Sequence, residues 1–515
     1  MADSTSSLLA PYTGPWDERA AAHLLNRMCF SASIEQIETL MKQTPDQTLQ
    51  RLLYYEYTPE SCPDPGWAEP AISSPDAVPE SQLNEQGRQM QRKEQQRTEK
   101  EHGRELQAWW IQRMVTTPRP LQEKLTLFWH GHFATSFVKV KNAYLMWLQN
   151  ETLRRNANGN FKKMLLEISR DPAMIVWLDN NSNVKGKPNE NYAREVMELF
   201  TLGEGHYTEQ DIKESARAFT GWSYRKQGGQ QFQFQPRQHD DGEKIFMGKK
   251  GNWNGDDIIN IIFEQPHCAR FIVNKLWAHF AYENPEPEVV DGLARILREN
   301  NYDLKPLLWK MFSCRAFYSE RAIHAQIKSP AQLVVGSFQI LKREMPDDPG
   351  LLQIILNVFR LMGQELFVPP DVDGWDGGLA WVNTASLLLR YNFSNYLVHG
   401  IPPENMVGKI GKAGKPPGPP SKKVTGALRR NAKALDVASL CDLSRLATSE
   451  QIVCHFARLL WNDQPDQENL REFTRFLDTN ESGGTFAFQA QNPAAEEKIR
   501  GLVHLMMSTP QYQLC

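Results

Sequence analysis

The clearest hydrophobic–polar pattern in this chain runs from Asn189 to Trp222. On a helical wheel Tyr192, Ala193, Val196, Met197, Leu199 and Phe200 fall on one arc, and Glu190, Asn191, Arg194, Glu195 and Glu198 on the other. The spacing predicts an amphipathic helix stopped by Gly203 and Gly205. Thr208 with Asp211 three residues on is the spacing of a capping box, which starts a second helix. That helix carries Arg217 and ends at Gly221 and Trp222.

Helical periodicity recurs through most of the chain. Residues 1–62 read as N-terminal helices, and 63–82, rich in Pro, Asp, Glu and Ser, as a linker. Residues 83–227 form a central helical core. It opens with one long helix whose first half, a Gln/Arg/Lys/Glu run, faces solvent. Pro118 and Pro120 break that helix and open the next, where Leu121, Leu125, Phe128 and His132 share a stripe. Residues 228–256 differ: Gln alternates with Phe over 231–235, which predicts a small β-hairpin insertion near 230–248. A second helical region spans 257–400 and includes a Gly- and Trp-rich loop over 367–382. Residues 401–424 read as a linker, with 411–423 a Pro/Gly/Lys stretch expected to be exposed, and 425–515 as a C-terminal helical region. The segments from Cys268 to Tyr318 and from Cys454 to Tyr512 are weakly alike, each a helix containing Leu-Trp, a connector, further helix and an aromatic close. The expected fold class is mainly α, a multi-helix bundle-like assembly with one small hairpin.

Composition narrows the function classes. The chain has 515 residues, with 58 Lys and Arg against 61 Asp and Glu. That balance gives no general pull toward nucleic acid or an anionic membrane. No apolar run approaches the ~20 residues needed to span a bilayer. The first residues lack a basic segment followed by an apolar one, so the sequence predicts a cytoplasmic protein, or a periplasmic one exported jointly with a partner. Seven scattered cysteines form no C-x-x-C pair. No nucleotide, flavin, zincin or α/β-hydrolase motif is present.

Four groups of residues carry candidate chemistry. Glu190, Glu195 and Glu198 lie along one helix face with Arg194 among them. Clustered carboxylates can split their pKa values into an acid and a base, and the same face can be a salt-bridge network. His130 and His132 could bind a divalent metal only if the chain extends at Gly131, since i,i+2 positions diverge on a helix; otherwise they are core histidines. His239 and Asp240 stand in a polar loop with Lys244, where a His–Asp pair can act as general base. Asp256 and Asp257 follow, as further acids or as the cap of the next helix. Asp373 and Trp375, with Arg390 downstream, suit a cleft lining or a turn pinned by a buried indole.

The ordered motifs resemble the DUF1800 family. They are His23–Arg27, Phe128-Trp129-His130-Gly131-His132-Phe133, the 189–203 block, Ala216–Trp222, His239–Lys244, Gly255-Asp256-Asp257, Lys328-Ser329-Pro330, Pro369–Trp375 and Ser508–Gln513. These are bacterial proteins of unassigned function. The resemblance implies a neighbouring DUF1501-like protein with a sulfatase- or phosphatase-like fold as partner. Two functions are therefore expected. One is a hydrolase of a polysaccharide or glycoconjugate, in which Glu195, Arg194, Arg217, His239 and Asp240 meet in a pocket lined by Trp222 and His130. The other is a non-catalytic helical partner.

Overall fold

Helices form where apolar positions recur every three or four residues, and side-chain caps fix their ends. Thr208 and Asp211 close the expected capping box on Glu209–Ala218, and Asn254 with Asp257 closes another on Gly255–Phe263. The cap of that second helix is thus Asn254, with Asp257 its reciprocal partner, while Asp256 turns aside to pair with Arg170 at 2.5 Å. The computed structural model describes residues 8–60, 62–69, 83–225, 231–401, 433–479, 484, 488 and 495–515. The 411–423 stretch and residues 70–82 of the first linker lie outside these.

The fold is mainly α, with two two-stranded antiparallel sheets among the described residues. Phe232–Phe234 pairs back onto Trp222–Tyr224, so the first strand comes from the end of the signature segment. Lys244–Phe246 pairs with Lys249–Gly251. Met247 and Gly248 between them both take positive φ, 47° and 77°, as a tight hairpin of this hand requires. The β region expected near 230–248 is thus two short pairs.

Two apolar cores organise the helices. The first gathers Glu18–Met28, Asn191–Glu198, Glu209–Ala218, Gly255–Phe263 and the three-helix unit Pro266–Phe280, Pro287–Glu299 and Leu304–Ser313. The second gathers the inner end of the long helix Glu85–Thr116, then Pro330–Ile340, Pro349–Leu361, Thr384–His399 and the three-helix unit Ser449–Leu460, Gln467–Leu477 and Ala495–Met507. The two weakly similar segments are therefore two three-helix units, one in each core. No described helix is long and apolar enough to cross a membrane.

The helix Pro120–His132 lies between the cores. Leu121, Leu125 and Trp129 belong to the first and Leu127 to the second. A helix buried on both sides must also bury its polar positions, and Glu123 is fully buried. Arg113 Nε and Arg154 Nε each donate to Glu123 Oε1 at 2.7 Å, and Trp110 Nε1 donates to Oε2 at 2.9 Å. Burial pushes the Glu123 carboxyl up, but the two guanidinium groups outweigh it and leave it below the ordinary carboxylate value of 4.5. Glu123→Gln removes the anion that Arg113 and Arg154 share and leaves them only their outer partners Glu60 and Glu151, which is expected to destabilise the protein by about 3 kcal/mol. Because the folded-state value is depressed, this stabilisation is present above pH 4.5 and is lost as pH falls through the folded-state value. Denaturant unfolding of wild type and variant across that range checks both; equal midpoints at neutral pH would contradict them.

Candidate functional site

A cleft of about 550 Å³ opens where the two cores meet, a size typical of small-ligand sites. Helix Pro120–His132 supplies one wall. Its positions 124, 128, 131 and 132 fall on one face, which places Lys124, Phe128, Gly131 and His132 there. Lys275, Ala278 and His279 of Pro266–Phe280 form a second wall by the same spacing. Arg27, from Glu18–Met28, lies at the buried floor.

The loop 367–382 closes the mouth. Phe367 enters it at φ 61°, held by its N–H to His130 Nε2 at 3.2 Å and by its carbonyl, which accepts from Phe137 N at 2.8 Å. Gly374, at φ 89°, packs against the backbone of Gly131, where a Cβ would collide with the Gly131 carbonyl. That close approach seats the Trp375 ring 3.6 Å from where a Gly131 Cβ would stand and 5.5 Å from the His130 ring. Trp375 and Trp381 line the cleft, with Asp373 exposed at its rim.

The floor is cationic. Arg27 is buried; its Nη2 donates to Ala322 O at 2.6 Å, and Nε and Nη1 have no acceptor among the described residues. Lys124 donates to Asn26 O at 2.8 Å and Cys29 O at 2.7 Å. Burial lowers Arg27 to about 10 and Lys124 to about 8, with a charge on Cys515 opposing both shifts. Burial also holds His279 near 3, so its ring is neutral, and its Nε2 has no partner.

The signature helix Asn191–Glu198 backs this cleft through its C-terminal end. Its apolar arc is buried as the sequence predicts: Tyr192, Ala193, Val196, Met197 and Phe200 are each at most 2% exposed, and Leu199 is half-buried. The carbonyls beyond the helix orient two cleft residues. Phe200 O accepts from His132 Nε2 at 3.1 Å and Leu199 O from Lys275 Nζ at 3.3 Å. Lys275 is lowered by burial, with Asp373 opposing. Glu195 is raised to about 7, first by burial and then by the charges of Glu198 and Asp373, with Arg194 opposing. That coupling ties Glu195 to the Asp373 rim. Glu198 accepts from the Tyr207 hydroxyl at 2.5 Å.

The other expected site residues fall elsewhere. Arg194 pairs with Glu209 at 3.0 Å and Glu190 at 3.6 Å on the surface. Arg217 pairs with Asp240 at 2.8 Å and Glu214 at 2.7 Å, and its guanidinium holds Asp240 down to about 2. Lys244, buried, donates to Asp240 O at 2.6 Å and Gly242 O at 2.9 Å. His239 Nδ1 sits 2.9 Å from Thr220 O. These contacts clamp the β insertion to Glu209–Ala218, and among the described residues no hydrogen bond or ion pair joins them to Glu195. Trp222 is buried under Arg170, 5.3 Å from its ring centroid. Arg390, fully buried, bonds Lys328 O, Trp381 O and Gln513 Oε1 behind the cleft wall. His130 and His132 stay on one continuous helix and diverge. His130 packs on Trp110 and Phe367, and His132 among Phe128, Phe133 and Phe200. Among the described residues no group of three His, Cys, Asp or Glu side chains could hold a metal ion.

Arg27, Lys124, Lys275 and His279 were not singled out as site residues from the sequence. The available signal was a charged residue inside an otherwise apolar helix: Lys124 between Leu121, Leu125 and Leu127, and Lys275 beside Leu276 and Trp277.

Residues 23–514 match a family described as a protein of unknown function, DUF1800. The chain belongs to that family. No curated protein and no solved structure matches it.

Glu195 gives a pH signature of its own. Its folded-state value of about 7 lies above the ordinary 4.5. Between those values the folded protein keeps a proton that the unfolded chain has released, so stability falls as pH rises through this window. Glu195→Gln is expected to gain thermal stability over wild type at pH 8 and to gain nothing at pH 4.5. The same difference in melting temperature at both pH values would contradict the shift.

Proposed function

We propose that the protein is a hydrolase of a polysaccharide or glycoconjugate and that the cleft between the two cores is its active site. The observation that supports this best is a carboxyl near pKa 7, Glu195, coupled to a second carboxyl, Asp373, at the rim of a cleft lined by Trp375 and Trp381. A carboxyl near 7 is poised to give and take a proton at neutral pH. Indole rings give the apolar faces on which sugar rings pack. In the reaction the glycosidic C–O bond breaks and Glu195 passes its proton to the leaving oxygen. A water oxygen bonds to the anomeric carbon, and its proton goes to Asp373. Reducing ends released from a panel of polysaccharides test this. Glu195→Gln is expected to lower the rate about 100-fold or more, and the wild-type rate to fall as pH rises above about 7. An unchanged rate in Glu195→Gln would contradict the assignment.

A second reading, the helical partner of a DUF1501-like protein, is favoured by one surface feature. Leu379, 82% exposed, stands between the cleft-lining Gly378 and Trp381, and Leu388, 56% exposed, follows on the next helix. Exposed apolar groups next to a site suit an interface. Co-elution with a DUF1501-like protein, lost in Leu379→Asp, is the expected result; separate elution of the wild-type proteins would contradict this reading.

A further inference from the structure

We propose that the floor of the cleft is a receptor for a tetrahedral oxyanion, the sulfate or phosphate ester group of a substrate, held by Arg27, Lys124 and His279. This rests on the cleft being the substrate site and names the class of substrate it takes.

Three donors from three helices meet this floor. Arg27, 1% exposed, offers Nε and Nη1, neither of which has an acceptor among the described residues. A guanidinium buried to that degree is normally paired. Lys124 spends two N–H groups on Asn26 O and Cys29 O and has a third to give. His279, neutral, offers Nε2, which is buried and without a partner. All three residues line the same cleft. The carboxyl groups that also line it, Glu283, Asp373 and Asp376, form no ion pair with Arg27 or Lys124 among the described residues. Cys515 also lines the cleft, and its Coulomb contribution opposes the burial shift of both cations. The hydrogen bonds of Cys515 run to Gln326 through its backbone and leave the guanidinium donors free.

The donor count selects the ligand. Arg27 supplies two N–H groups, Lys124 one and His279, as its Nε2–H tautomer, one. Four donors converging from separate elements suit the three terminal oxygens of a sulfate or phosphate ester better than the two of a carboxylate. Arginine adds its fixed fork, which matches two such oxygens at once. The apolar Phe30, Leu127 and Phe128 beside them keep the contact dry and strengthen it. The esterified sugar would then extend toward Trp375 and the Asp373 rim.

Calorimetric titration of the full chain with inorganic sulfate, inorganic phosphate and acetate, at constant ionic strength in chloride, tests the assignment. Sulfate and phosphate are expected to saturate a single site, and the tighter of the two identifies the ester; acetate is expected not to saturate it. Arg27→Gln and His279→Phe are each expected to weaken binding about tenfold or more, as for loss of a hydrogen bond to a charged group. His279→Phe removes a nitrogen that has no partner within the protein, so it keeps the test open where Arg27→Gln fails to fold. Three results would overturn the proposal: no saturable binding of sulfate or phosphate, acetate binding as tightly, or unchanged binding in a folded His279→Phe variant. The readout involves no chemistry. Anion binding without hydrolysis of any glycan would sink the hydrolase assignment alone, and hydrolysis of neutral glycans without anion binding would sink this one alone.

Discussion

Glu123 is the constraint on which the rest depends. It is fully buried, and the two guanidinium groups and one indole that bond it come from two other helices: Arg113 and Trp110 on the long helix Glu85–Thr116, and Arg154 on the helix Ala143–Arg155. Such a cluster tolerates little displacement, because each group left unpaired in the interior is costly. It therefore fixes helix Pro120–His132 in position and rotation. With Glu123 turned toward Arg113 and Arg154, the face carrying Lys124, Phe128 and Gly131 is turned toward the floor formed by Arg27 and the wall formed by His279. The cleft follows from where that one helix is held.

The same helix explains why the cleft is chemically distinct. Two cores pressed on one helix leave no solvent-facing side, so its lysine and histidines lie in the interior. Lys124 and His132 reach carbonyl oxygens, which accept from them without neutralising the lysine's charge. The signature helix contributes in two ways. Its terminal carbonyls orient His132 and Lys275, and its Glu195 sits where burial and neighbouring acids hold a proton to near neutral pH. The positive floor and the Asp373 rim are thus two ends of one cleft, and the charge of Asp373 acts on Glu195. The polar group around Arg217, Asp240 and Lys244 does different work, tying the β insertion to its helix.

Local patterns in the sequence were enough for the parts of this that are local. The arc from Tyr192 to Phe200, the capping box at Thr208 and Asp211 and the solvated first half of the long helix all depend on spacing within one segment. The docking of the Trp375 loop does not, because it turns on Gly374 meeting Gly131, far apart in the chain. The cationic floor was hidden for a related reason. A wheel assigns a lysine such as Lys124 to solvent unless a second core is known to cover that side. Arg27 stood in a recognisable motif, but nothing in the motif says that its guanidinium lacks a partner. The convergence expected of Glu195 with Arg217, His239 and Asp240 came from motif membership. Short-range pairing absorbs Arg217 and Asp240, and Glu195 is coupled instead to Asp373.

The central claim is that the junction of the two cores is a site for an anionic ligand. The most direct measurement is a crystal structure of the protein soaked in selenate, with the anomalous signal of selenium used to locate the anion. The account predicts a peak within hydrogen-bonding distance of Arg27 Nε or Nη1 and His279 Nε2. A well-ordered cleft with no peak there, or selenate bound only at surface positions, would contradict it.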